Sequence, residues 1–221
     1  MAFTNSPLTV YRQISPNKDS PRSQPIRKIT IHHTAGVISI ENLGGWFSKS
    51  STRASSNYGV GNDGRVALYV DEKDRSWCSS SPVNDNQAIT IEVSNSAAGG
   101  QWPVSDKALA GLIYLCADIC KRNSIDRLNY TGTSDGNLTR HDMFAHTVCP
   151  GPYLGGKFPY IADEVNKRLG KVSKDPVTVS GAIEILYKNG LISTPGYWHE
   201  NYAKLPYLDQ LIINMANKLG G

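Results

Sequence analysis

The stretch 139–151, Thr-Arg-His-Asp-Met-Phe-Ala-His-Thr-Val-Cys-Pro-Gly, constrains this chain more than any other part of it. His141 and Cys149 stand eight residues apart in it, and Pro150-Gly151 turns the backbone directly afterwards. Imidazole and thiolate are both good ligands for a borderline-soft divalent ion, zinc above all. Two ligands do not complete a site, so the fold must bring a third to them. The obvious donor is Ile29-Thr-Ile-His-His-Thr34, a β-branched run that ends in paired histidines. His32, His141 and Cys149 would supply three protein ligands and leave a fourth position for water, the pattern of one catalytic Zn2+ rather than a structural one.

Residues 27–33 read as a strand. Period-2 alternation sets Ile29, Ile31 and His33 on one face and Thr30 and His32 on the other, so only one histidine of the pair faces a given ion. The other packs or hydrogen-bonds nearby. His146 lies close enough to Cys149 to rival His141, although the spacing favours His141.

Along the chain, residues 1–25 carry four prolines and read as an ordered arm or loop. A short helix is expected over 40–49, a hairpin over 57–70 around Asn62-Asp63-Gly64, and a strand at 88–93. Ser105 caps a long helix, 106–122, with Leu109, Leu112, Ile113, Cys116, Ile119 and Cys120 on one face. Another helix is expected at 159–169. Strands interspersed with helices make an α/β domain of residues 1–170. A linker at 171–176 then leads to a small helical C-terminal module, 177–221, with helical patterns at 178–189 and 207–219. So small a core suits docking, dimerisation or wall targeting. The aromatics Tyr197, Trp198 and Tyr202 between its helices read as core in preference to a sugar platform.

Composition narrows the function. The net charge of +4 comes from 23 Lys and Arg against 19 Asp and Glu, without the basic stripe that nucleic acid requires. No run is long and apolar enough to insert in a membrane, and Met-Ala-Phe-Thr-Asn-Ser-Pro at the start lacks the plan of a signal peptide. The expectation is a protein made in the cytoplasm that acts elsewhere only after release. The four cysteines show no disulfide framework, and Cys116 and Cys120 read as buried thiols in the long helix.

Four features in order, Ile31-His-His-Thr-Ala35, Asn57-Tyr-Gly59 with Asp63-Gly64, Ile89-Thr-Ile-Glu92-Val93, and His141 through Cys149-Pro-Gly151, resemble a known family. It is the zinc-dependent N-acetylmuramoyl-L-alanine amidases of type 2, which include the phage lysozyme-type amidases and the peptidoglycan recognition proteins. The look is that of endolysins and autolysins of Gram-positive-type phages and prophages. The resemblance implies an α/β fold with a central mixed sheet flanked by helices and one zinc at the floor of an open groove. The implied substrate is peptidoglycan of the cell wall, cut between N-acetylmuramic acid and L-alanine of the stem peptide.

By resemblance, His32, His141 and Cys149 are the zinc ligands. Tyr58 matches a tyrosine lining the metal, and Glu92 a glutamate that activates its water. Many members carry a lysine two residues before the last ligand, and here that place is Thr147. Thr147 stays a candidate catalytic residue as the group in the lysine's place, and the oxyanion donor is open between Tyr58 and the adjacent His146. Glu92 in an otherwise apolar strand points to a site on its own account, since an unpaired carboxylate there is costly. Trp77 either lines the groove or packs. Two other functions stay open: a peptidoglycan-binding module without catalysis, whose mark would be loss of Cys149, and a zinc peptidase cutting within the stem peptide. The helical His-Glu-x-x-His motif of one common peptidase type is absent. A homodimer through the C-terminal helices is the remaining partner expectation.

Overall fold

Alternating isoleucines and polar residues in two neighbouring strands give the first unit a sheet with one apolar and one polar face. The computed structural model describes residues 3–170, 179–204 and 208–218. The chain divides into two units, Met1–Leu169 and Gly170–Gly221. The linker expected at 171–176 lies outside the described residues.

The first unit runs β1 (Thr9–Arg12), β2 (Lys18–Asp19), β3 (Lys28–His33), α1 (Ile40–Phe47), β4 (Tyr58–Val60), β5 (Val66–Leu68), β6 (Arg75–Ser76), α2 (Pro82–Gln87), β7 (Ala88–Val93), α3 (Asp106–Arg122), β8 (Leu138–Arg140), α4 (Pro152–Gly156) and α5 (Phe158–Arg168). Six strands form a mixed sheet in the order β1-β5-β4-β7-β3-β8, and β2 pairs with β6 beside it. Only β4 and β5, the expected hairpin, are antiparallel; every other neighbouring pair in the large sheet is parallel. The stretch 1–25 is more than a loop, because β1 extends the sheet edge against β5.

Ile29 and Ile31 of β3, Ile89 and Ile91 of β7, and Tyr58 of β4 join the apolar faces of α3 and α5 in the main core. Helix α3 starts where its cap requires, with Ser105 Oγ accepting from Ala108 N at 3.1 Å. Its expected stripe from Leu109 to Cys120 is buried. Helix α1, capped by Ser39, packs Ile40, Leu43 and Phe47 against Ala67 and Tyr69 on the sheet's other face.

The rest of that second face is polar and buried. Thr30 and Thr139 meet at 2.9 Å between their hydroxyls, and Asn84 of α2 donates to Thr30. Thr90 bonds Ser76 at 2.7 Å and exchanges bonds with Asn57. Arg22 closes this region by donating to the carbonyls of Glu72, Asp74, Asn86 and Ala88. Burying so many polar groups is tolerable only because they are paired.

The second unit comprises α6 (Val179–Lys188), α7 (Pro195–Asn201) and α8 (Leu208–Lys218). Ala182, Ile183, Leu186, Ile212 and Ala216 form its core, with Trp198 and Tyr202 packed against it. Tyr197 stays exposed.

Candidate active site

The parallel strands β7, β3 and β8 end together, and a crevice outside such carboxyl ends is where open α/β sheets place ligands. Register supplies the rest. His32 lies opposite Glu92 on β7, and Ile31 lies opposite Arg140 on β8, so the next residue, His141, falls beside His32. The two imidazole centroids are 4.5 Å apart. A single 3-10 turn, His141–Met143, reverses the chain, and Asp142 N donates to Cys149 O at 3.1 Å, returning Cys149 to its partners. His33 N then donates to Cys149 Sγ at 3.4 Å.

One donor atom from each of His32, His141 and Cys149 lies within 4.8 Å of the others. His32 is 1 % exposed, and both His32 Nε2 and His141 Nε2 are buried without a hydrogen-bond partner. Two orphaned imidazole nitrogens beside a thiol make a donor set that a metal ion would satisfy. Burial pulls both histidines below their ordinary 6.5, for His32 with help from the neighbouring His141 and His33. Neutral imidazoles are the ligand form. Burial also pushes the Cys149 thiol well up, a cost that a coordinated cation offsets.

Glu92 stands half-buried at the same end, its Oε2 unpartnered. Burial raises its carboxyl to about 8, the one opposing influence being Cys78, whose Sγ lies 3.9 Å from Glu92 Oε1. A groove of about 570 Å³ opens over the cluster, lined by Glu92, His141, Thr147 and Cys149 together with the apolar Ile38, Leu43 and Trp46. Thr147 Oγ1 accepts from Cys149 N at 3.2 Å, which leaves its own proton free for the groove.

Two sequence expectations change here, those for Tyr58 and His146, and the open reading of Trp77 is resolved. Tyr58 is not beside the cluster. It pairs with Ile91, not Glu92, so its side chain enters the core on the opposite face, where its hydroxyl donates to Glu72 at 2.7 Å and accepts from Ser6 N. His146 is exposed and forms no part of the groove lining. Trp77 donates through Nε1 to Asp19 and borders a separate cavity with Cys78, Ser81 and Asp85. The residue that sequence reasoning passed over is Cys78. No periodicity marks it, since it lies in a Ser-rich loop between β6 and α2.

A profile of the N-acetylmuramoyl-L-alanine amidase family matches residues 22–152, more than half of the chain. Solved structures of similar fold include PlyL, at 16% identity and a TM-score of 0.57 over 71% of this chain and 96% of that one. The PlyG catalytic domain follows at 17% and 0.58, over 75% of this chain and 96% of that one. An AmpD derivative gives 17% and 0.54, over 73% and 99%. No curated protein matches the chain in sequence.

Proposed function

The chain belongs to the N-acetylmuramoyl-L-alanine amidase family, and on that footing we propose that it hydrolyses the amide between N-acetylmuramic acid and L-alanine of peptidoglycan with one zinc ion. The observation that carries the metal is the convergence of His32, His141 and Cys149 with two imidazole nitrogens unpartnered. When loaded with zinc, such a site supplies a Lewis acid for the carbonyl and a water ligand acidified to a pKa of about 7.

The protein's own groups do the remainder. Glu92 accepts the proton of the attacking water and returns it to the leaving amine. Burial lifts this carboxyl to about 8 in the metal-free protein, and a bound dication nearby would lower it towards the range of a group that both takes and gives a proton near neutrality. Thr147, facing the groove with its proton free, donates to the developing oxyanion in the place where many relatives use lysine. Thr30, Thr90, Thr139 and Asn84 form a paired polar network on the same face of the sheet as His32. The resemblance to endolysins extends the reading to lysis of a cell wall, and among the described residues no helix is long and apolar enough to cross a membrane.

The test uses purified cell walls, with new amino termini and new reducing sugars assayed separately. L-Alanine termini without reducing sugars, abolished by chelator and restored by zinc, are expected. Other amino termini would move the cut into the stem peptide, and binding without cleavage would leave a recognition module.

A further inference from the structure

A second donor set lies against the first. One atom each from His32, Cys78 and Glu92 falls within 4.8 Å of the other two, on the side of His32 away from the 141–149 loop's attachment to β8. His32 and Glu92 are register neighbours on β3 and β7. Cys78 reaches them from the loop after β6, its backbone N held by Asp85 Oδ2 at 3.1 Å. Among the described residues, Glu92 Oε2 and His32 Nε2 have no hydrogen-bond partner, and Glu92 Oε1 receives the long bond from Cys78 Sγ at 3.9 Å. A buried carboxylate so poorly satisfied, next to a thiol and an imidazole, is costly unless something further binds it.

We propose that His32, Cys78 and Glu92 form an alternative position for a soft or borderline divalent ion, sharing His32 with the hydrolytic set. Thiolate, imidazole and carboxylate together suit Zn2+ and Cd2+. On binding, the Cys78 thiol releases its proton to solvent, and water completes the coordination. Cys78 also borders a cavity of about 240 Å³ with Trp77 and Asp85. An ion held there occupies Glu92 and leaves His141 and Cys149 without a partner, so the loaded protein is idle. The proposal rests on His32, His141 and Cys149 being the working set.

The experiment titrates the full chain with Cd2+ and follows the thiolate-to-metal absorption band together with bound metal. Cys116 and Cys120 are 0 % exposed inside the main core and do not contribute. Cys149→Ser is expected to keep a band and one bound ion, through Cys78. Cys149→Ser with Cys78→Ser loses the band, and Cys149→Ser with Glu92→Gln keeps it but weakens binding by roughly 10–100-fold or more. Circular dichroism identifies any variant that fails to fold, and for such a variant Cys149→Ala and Cys78→Ala serve in its place. A missing band in folded Cys149→Ser, or a band that survives in folded Cys149→Ser with Cys78→Ser, overturns the proposal. Cys78→Ser alone reports on the working set: a band there, through Cys149, supports that set whatever happens at Cys78, and its absence removes the working set instead.

Discussion

Tyr58 shows how one register step decides a residue's role. Its motif resemblance put it at the metal, but pairing with Ile91 turns it into the apolar core, where Glu72 accepts its hydrogen bond and Arg122 and Asn123 complete the carboxylate's bonds. Tyr58→Phe is therefore expected to leave kcat nearly unchanged and to cost about 1–3 kcal/mol of stability, read by urea denaturation. A large drop in kcat with full stability would return Tyr58 to the mechanism. The face of His32, by contrast, was legible from alternation within β3, since Thr30 and His32 do face away from Ile29 and Ile31; the choice of His32 over His33 came from the resemblance. Glu92 was legible as the odd carboxylate in an apolar strand. What no local pattern carries is cross-strand register, and that is what separates Tyr58 from Glu92. Cys78 escaped for a related reason: its neighbours Glu92 and His32 come from two other strands.

At the scale of elements, the loop that carries Cys149 depends on Gly151. Its φ of 82° with ψ of 160° is a conformation essentially reserved for glycine, and a Cβ there would sit 3.0 Å from Trp102 Cβ and 3.2 Å from His33 Cε1. Gly151→Ala should cost about 1–3 kcal/mol and weaken zinc retention, measured by competition with a chromophoric chelator. Equal retention would show that Cys149 is placed independently of the turn. The β2–β6 pair offers a pH test. Burial would raise the Asp74 carboxyl, but bonds from Lys18 and Ser20 outweigh it and hold the group below its ordinary 3.8. A folded value below the unfolded one means stability present above 3.8 and lost as pH falls through the folded value. Asp74→Asn should thus lower the denaturation midpoint at neutral pH and flatten its fall in acid; a parallel fall would refute the assignment. Long elements with caps and stripes, such as α3, were readable to the residue. Helix α2, Pro-Val-Asn-Asp-Asn-Gln, has no apolar stripe to read, and β1, β6 and β8 are too short for alternation to stand out.

For the molecule as a whole, the two units have separate cores. A chain ending at residue 169 is expected to melt cooperatively and to cleave soluble muramyl peptides like the full protein. Lower affinity for intact walls would assign targeting to the second unit; unchanged affinity would leave that unit to self-association or packing, separable by sedimentation. One feature of the larger unit bears on how it comes into being. His33 and Cys149, which touch through an N–H and a sulfur, are 116 residues apart, and the Thr30–Thr139 contact spans 109. Strand β3 is made early, yet its neighbour β8 and the loop behind it leave the ribosome only after the long helix α3. Contacts of such separation are slow to form. Until the last strand docks, the nascent chain holds only one of His32, His141 and Cys149 in place, so the proposed ion site, and the hydrolysis proposed to depend on it, forms only when the sheet is complete.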